Sequence, residues 1–211
     1  MNASPIPAGL PGDLGGLALP AGLPGELGRL ASPPEPAGPG LPRDLGLPGL
    51  GAERILTRPE LVRLTAGVAA RPELWEARID RCSRQRMYAS LHRDAHVDVW
   101  AIFWRPGNDT GWHDHDISSG AVHVVEGELV DCELRLGGPE GRRVHGAGAG
   151  FSFDPTRIHR LLCERGAAIS IHAYSAPLWR LGQYTVDSGG ALHRLSVSYA
   201  EELRPLELVA A

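Results

Sequence analysis

From Met87 to Ser198 the chain alternates apolar and polar residues with period two, in short runs that glycine, proline or aspartate closes. Met87-Tyr-Ala-Ser-Leu-His-Arg93 is one such run, and Val97-Asp-Val-Trp-Ala-Ile-Phe-Trp104 is another, ended by Arg105-Pro-Gly-Asn-Asp. Ala121–Leu136 reads as two strands meeting near Glu126-Gly127, followed by a turn at Gly137-Gly-Pro-Glu-Gly. Arg142–His145, Phe151–Phe153, His159–Cys163, Ala168–Tyr174 and Leu192–Ser198 continue the series. Many short strands with regularly spaced turns dictate an all-β barrel or sandwich, because each strand has one face to bury and only a facing sheet can bury it.

The residues before this region obey other rules. Thr57-Arg-Pro-Glu predicts a helix start: Thr57 as N-cap, Pro59 in the first turn and Glu60 closing a capping box. Leu61, Leu64, Thr65 and Val68 then fall on one face up to about Ala70. A second short helix is expected from Pro72 to about Asp80, burying Leu74, Trp75 and Ile79. Residues 1–50 are mostly Gly, Pro, Leu and Ala and nearly repeat themselves, as in Leu10-Pro-Gly-Asp-Leu-Gly15, Leu23-Pro-Gly-Glu-Leu-Gly28 and Leu41-Pro-Arg-Asp-Leu-Gly46. No unit holds a period long enough to bury a face, so 1–50 is expected to be a disordered tail, or alternatively a clip onto the barrel. Residues 51–211 are then one folded domain, long enough for one core.

The 211 residues carry a net charge of −4, with both signs interspersed. No basic patch points to nucleic acid. No run of about 18 apolar residues suits a membrane span, and the N-terminus does not read as a secretory leader. Cys82, Cys132 and Cys163 are odd in number and lack metal-type spacing, which suits a reducing, cytoplasmic location. A monomer or small homo-oligomer is expected.

The chemistry-bearing stretch is Gly107-Asn-Asp-Thr-Gly-Trp-His113-Asp-His115, with His159 further along in Phe153-Asp-Pro-Thr-Arg-Ile-His159. Two histidines one residue apart on a strand present both imidazoles on one face. Together with His159 they are expected to bind one metal ion. His92, His96, His123, His145 and His193 are expected to be surface or structural. The spacing resembles the first motif of the cupin superfamily: Gly107, His113-x-His115, Gly120 where the usual glutamate stands, then Gly127. A degenerate second motif runs from Gly148 through Asp154 to His159. Without the glutamate, three neutral imidazoles leave all the metal's charge uncompensated and several positions open. Such a site favours an anionic ligand such as a thiolate, although imidazole also suits Zn, Cu and Ni.

Over roughly residues 55–200 the chain resembles the cysteine dioxygenase type I family of thiol dioxygenases, in the bacterial form. The resemblance is carried by Trp112-His113-Asp-His115, Gly120, Glu126-Gly127-Glu128-Leu129, Ile158-His159-Arg160, and Ser170-Ile-His172-Ala-Tyr174-Ser-Ala-Pro177. It implies a cupin, jelly-roll-like barrel that holds Fe(2+) on His113, His115 and His159. It also implies oxidation of a small-molecule thiol by O2 to its sulfinate, with Ser170, His172 and Tyr174 as a hydrogen-bonded relay. Alternation puts those three on one face of their strand. Gly120 forbids the cysteine–tyrosine crosslink of the animal enzymes. The family's carboxylate-binding arginine slot falls on Ala89, with Gln85, Arg86 and Arg93 nearby. Together with Trp112, and with Trp104 and Trp179 near the mouth, this leaves cysteine, 3-mercaptopropionate or a bulkier thiol such as ergothioneine open as substrate. The rival expectations are a metal-dependent cupin isomerase or decarboxylase of a small acid, which has no need of Tyr174, and a non-enzymatic binding cupin.

Overall fold

The computed structural model describes residues 40–42, 45–135 and 137–198. The one long helix, α1 (Arg58–Ala69), starts where the capping signal lies: the Glu60 carboxylate accepts hydrogen bonds from Thr57 N and Thr57 Oγ1, both at 2.8 Å. Its buried residues include Leu61, Leu64, Thr65 and Val68, the expected face. The second expected helix is instead two single 3-10 turns, Pro72–Leu74 and Glu76–Arg78. Trp75 separates them with a non-helical φ of −137° and is buried. A segment this short cannot repay helix nucleation, so the burial of one large ring decides its backbone. No helix among the described residues is long and apolar enough to cross a membrane.

Twelve strands follow among the described residues: β1 (Met87–Arg93), β2 (Asp98–Trp104), β3 (Asn108–Asp109), β4 (Trp112–Asp114), β5 (Ser119–Glu126), β6 (Glu128–Glu133), β7 (Gly141–Gly146), β8 (Gly150–Phe153), β9 (His159–Cys163), β10 (Ala168–Ser175), β11 (Arg180–Val186) and β12 (Leu192–Ser198). They form two sheets, one in the order β1-β2-β10-β5-β8, the other β12-β11-β4-β9-β6-β7 with β3 on β9. The chain passes repeatedly from one sheet to the other. At Gly127 it does so in a single residue of φ 71°, where a Cβ would lie 2.3 Å from Ala167 O. Strand β11 has no counterpart among the expected strands. Its pattern is broken by Gly182, where a Cβ would meet the Arg194 side chain at 2.3 Å. The glycine is there to let that arginine cross the strand.

The core has two layers, and β2 belongs to both. Val99, Ala101 and Phe103 join the cluster around α1, while Trp100, Ile102 and Trp104 join the cluster between the sheets. This explains why β2 is apolar almost throughout rather than alternating: both of its faces are covered.

The outer cluster also includes Leu41, Leu47 and Leu50, all buried. Leu41 N donates to Leu91 O at 3.0 Å. A Cβ on Gly67 would meet Leu47 Cδ2 at 2.8 Å, so α1 carries its glycine where Leu47 sits. The expectation that all of 1–50 is a tail therefore fails from residue 40 on. Here the spaced leucines do not need a face of their own, because each joins the outer cluster to which α1 and β1 also contribute. Residues 1–39, 43, 44, 136 and 199–211 lie outside the described residues, and with them most of the tail expectation.

Candidate metal centre

His113, on β4, is directly opposite His159, on β9, in the antiparallel register. His115 follows just past the end of β4, and its backbone N donates to Pro155 O at 3.1 Å. The three imidazoles face one another with ring centroids 4.8 to 5.2 Å apart, and one nitrogen from each lies within 4.8 Å of the others. All three residues are buried.

Hydrogen bonds fix which nitrogens are available. His113 Nδ1 lies 2.9 Å from Gly111 O, so it carries the proton and Nε2 keeps its lone pair. His159 Nδ1 lies 3.0 Å from Asp131 Oδ1, and its Nε2 is buried with no partner. His115 Nδ1 is likewise buried without a partner. Burial first, then the neighbouring His113, holds His115 and His159 well below the ordinary imidazole range. The contact of His159 with Asp131 is thus a neutral imidazole donating to a carboxylate. Converging, neutral imidazoles with orphaned buried nitrogens fit a divalent metal, whose ligation supplies the missing partner.

Two carboxylates hold this set, one outside the sequence motif and one within it. Asp131, on β6, also accepts from Arg157 Nη2 at 2.8 Å. Asp114, between the two histidines, accepts from Arg194 Nε and Nη2 at 2.9 and 3.0 Å, from Tyr184 Oη at 2.5 Å and from Gly182 N at 3.1 Å. Burial pushes the Asp114 carboxyl up, but Arg194 and Tyr184 outweigh it and hold it well below the usual carboxylate range. This pins the His-x-His segment to β11 and β12.

Gly120 is explained by Phe153. A Cβ at 120 would lie 2.2 Å from Phe153 Cζ, and the Phe153 ring packs on His115 and His159 with centroids at 4.5 and 4.6 Å. The space where a fourth, carboxylate ligand is usual is filled by an aromatic ring.

The relay residues come together as expected on β10. Ser170 Oγ lies 2.8 Å from His172 Nε2, and His172 Nδ1 lies 3.3 Å from Tyr174 Oη. Trp104 Nε1 donates to Ser170 Oγ at 2.8 Å. Indole N–H can only donate, so the buried Ser170 hydroxyl is left to donate to His172 Nε2. Burial, then Arg86 and His113, pushes His172 down to about 3, so the ring is neutral. Its one proton is then on Nδ1 and is given to Tyr174 Oη, which turns the phenolic O–H away from His172. The Tyr174 ring is stacked 5.2 Å from His115.

His113, His115, His159, His172 and Tyr174 line one cavity of about 40 Å³, whose other walls are mainly Tyr88, Trp100, Ile102, Trp104, Leu178 and Leu181. The expected substrate wall is only partly there. Ala89 pairs with Ala101, on the face of β1 and β2 turned to α1, and packs in the outer cluster. Trp112 neighbours His113 on β4 and so projects to the opposite face, under the Arg160 guanidinium at 5.0 Å. Gln85 is exposed before β1. Trp179 is 60% exposed, whereas Trp104 is buried. Arg86 does approach: its guanidinium lies over the rings of Tyr88 and Trp104, at 5.1 and 5.3 Å. Arg93 is committed to the buried Asp98 and to Leu178 O. Of the remaining histidines, His92 and His145 are buried, and none joins the metal-binding group.

A sequence model of the family cysteine dioxygenase type I matches residues 59–186, more than half of the chain. The chain belongs to this family. Its fold is of the cupin type, and the three-histidine group is the kind of site a metal-dependent cupin carries. No curated protein matches the chain in sequence. Among solved structures, an uncharacterized conserved protein with a double-stranded beta-helix domain from Klebsiella pneumoniae is 11% identical at TM-score 0.42, over 56% of this chain and 91% of that one. A cupin superfamily protein from Desulfitobacterium hafniense is 11% identical at TM-score 0.42, over 48% and 87%. An oxalate oxidase bound to the substrate analogue glycolate is 22% identical at TM-score 0.35, and this chain spans 43% of its length and matches it over 39% of its own.

Proposed function

We propose that the protein is an Fe(II)-dependent thiol dioxygenase that converts a small thiol to its sulfinate, RSH + O2 → RSO2H. Sulfur supplies all the electrons, and no cosubstrate is needed. The observation that carries this reading is the placement of Tyr174 within the family's fold: its ring stacks on a metal-binding histidine while Trp104, Ser170 and His172 turn its hydroxyl outward. When bound, iron supplies a meeting place for thiolate and O2 and the redox chemistry between them.

The chain's own residues do the rest. His113, His115 and His159 hold the ion by three neutral nitrogens, which leaves its charge for an anionic sulfur. Tyr174 O–H orients the substrate or O2, as a donor held in place before the reaction begins. Trp100, Ile102, Leu178 and Leu181 keep water out. A cavity of about 40 Å³ suits a compact thiol better than a bicyclic or betaine-bearing one. Arg86, stacked on two rings that line the cavity, is the cation we assign to a substrate carboxylate. Cysteine and 3-mercaptopropionate are therefore favoured over ergothioneine.

The test is oxygen uptake by the iron-loaded protein with each of these three thiols, and mass spectrometry of the product. A gain of two oxygen atoms, both labelled by 18O2, is expected, and His113→Ala should lose bound iron and uptake together. Iron bound with no uptake on any thiol would sink this reading. Turnover of a small acid that is unchanged in Tyr174→Phe would favour an isomerase or decarboxylase instead.

A further inference from the structure

Arg93, Asp98, Tyr174, Gly120 and Phe153 are successive register partners and form one rung across the sheet β1-β2-β10-β5-β8. Residues opposite one another in a sheet share a face, and Tyr174 and Phe153 belong to the cluster between the sheets. Arg93 and Asp98 therefore turn into the barrel too, next to the rung of Trp100 and His172. The Asp98 side chain is fully buried, that of Arg93 is 19% exposed, and the two form an ion pair. Burial disfavours the Asp98 charge, while Arg93, the Trp100 indole and the Leu178 backbone N–H favour it. Arg93 reaches the same residue with its other nitrogen: Nη2 donates to Leu178 O at 2.9 Å.

Leu178 lies in the segment 176–179, which joins β10 to β11. Its side chain is buried and forms part of the wall of the cavity at the metal centre, whereas the next residue, Trp179, is exposed. Ser118 Oγ is 3.3 Å from Pro177 O, a long bond. A segment between strands takes its position from such side-chain ties. A buried ion pair adds little stability of its own, because taking two charges out of water costs about as much as their attraction returns. What the pair does supply is direction: one guanidinium fork ties β2 to the segment after β10. In a cavity of about 40 Å³, the place of Leu178 decides what fits.

We propose that Arg93 and Asp98 are positioning residues that latch the segment 176–179, and so make Leu178 the wall that limits the cavity to compact ligands. Both act through Leu178. The choice of thiols as probes rests on the dioxygenase reading above; the latch itself does not.

Two measurements on the full-length protein test this. The first is amide hydrogen exchange of residues 176–179, read by mass spectrometry without metal or substrate. Arg93→Met combined with Asp98→Leu replaces the pair by apolar side chains of similar bulk, a change that folds often tolerate. It removes the tie to Leu178 O and should speed exchange in the segment by about tenfold, the scale of one charge-assisted hydrogen bond. Val68→Ala, in the outer cluster, weakens the fold without touching the latch and should leave that rate unchanged. The second is the ratio of kcat/KM for homocysteine to that for cysteine in the iron-loaded protein. The double variant and Leu178→Ala should each raise it by about tenfold, the effect of one methylene in an apolar pocket, and Val68→Ala should not. Asp98→Asn keeps the shape of its side chain and should move both readouts the same way by less, which covers a double variant that does not fold. Unchanged exchange in the latch variants, or a ratio that moves in Leu178→Ala but not in them, overturns the proposal. If the wild type oxidises no thiol, the dioxygenase reading fails and the exchange rates alone decide the latch.

Discussion

Gly120 and Phe153 occupy one space: a Cβ on the first would lie 2.2 Å from the ring of the second. That ring in turn packs on two of the three metal-binding histidines. The absence of a side chain at 120 and the shape of the metal site are therefore one feature. Gly120→Ala should destabilise the protein by about 1–3 kcal/mol, the cost of overpacking a filled core. Phe153→Leu in the same chain should recover part of that loss, with a coupling of at least about 0.5 kcal/mol in denaturant unfolding. Strict additivity would mean that the two do not compete for the same room.

Asp131 fixes His159 in the tautomer that leaves Nε2 for a metal. Asp131→Asn removes the charge while keeping the shape. It should lower metal affinity by about 10–100-fold, the usual penalty for losing a carboxylate behind a ligating imidazole. Competition titration against a chelator reads this directly. Unchanged affinity would show that the tautomer is set by other means.

The relay is expected to work through the phenol alone. Tyr174→Phe should retain iron and lower kcat by about a hundredfold, the cost of one preorganised donor. Trp104→Phe leaves the phenol in place and removes only the donor to Ser170. It should cost about 1 kcal/mol of stability and a smaller part of kcat. If Trp104→Phe were as slow as Tyr174→Phe, the indole would have a larger part than holding Ser170.

What could be read from the sequence was whatever alternation alone decides. His113 and His115 share a face, as do Ser170, His172 and Tyr174, and these fell where expected. What could not be read depended on cross-strand register. Asp131 meets His159 because β6 and β9 pair antiparallel, and Arg194 meets Asp114 across eighty residues of chain. No local pattern announces either contact. Ala89 was misplaced for a related reason. Alignment to a family slot gives a position along β1 but not its face, and pairing with Ala101 turns it towards α1. Alternation alone excludes Trp112, because the neighbour of an inward ligand on a strand points outward. Leu41, Leu47 and Leu50 are hidden by composition: single leucines between glycines and prolines show no period, yet each is buried in the outer cluster.

The buried histidines also set how the metal-free protein responds to acid. His172 is pushed down to about 3 by burial, so the folded chain does not protonate it between that value and the ordinary imidazole range, whereas the unfolded chain does. Protons then favour the unfolded state, and stability falls as pH drops below about 6.5. The slope from one such group approaches about 1.4 kcal/mol per pH unit. His115 and His159 act with the same sign. Asp98 acts with the opposite sign: burial, opposed by Arg93, raises it to about 7, so the folded chain holds that proton where the unfolded chain has lost it. The difference between wild type and His172→Gln removes the shared contributions and isolates one group. Denaturant unfolding from pH 7 to pH 4 should show a shallower loss of stability in the variant, although it is less stable at neutral pH. Parallel curves would mean that His172 is protonated in the folded chain and that the relay runs in the other direction.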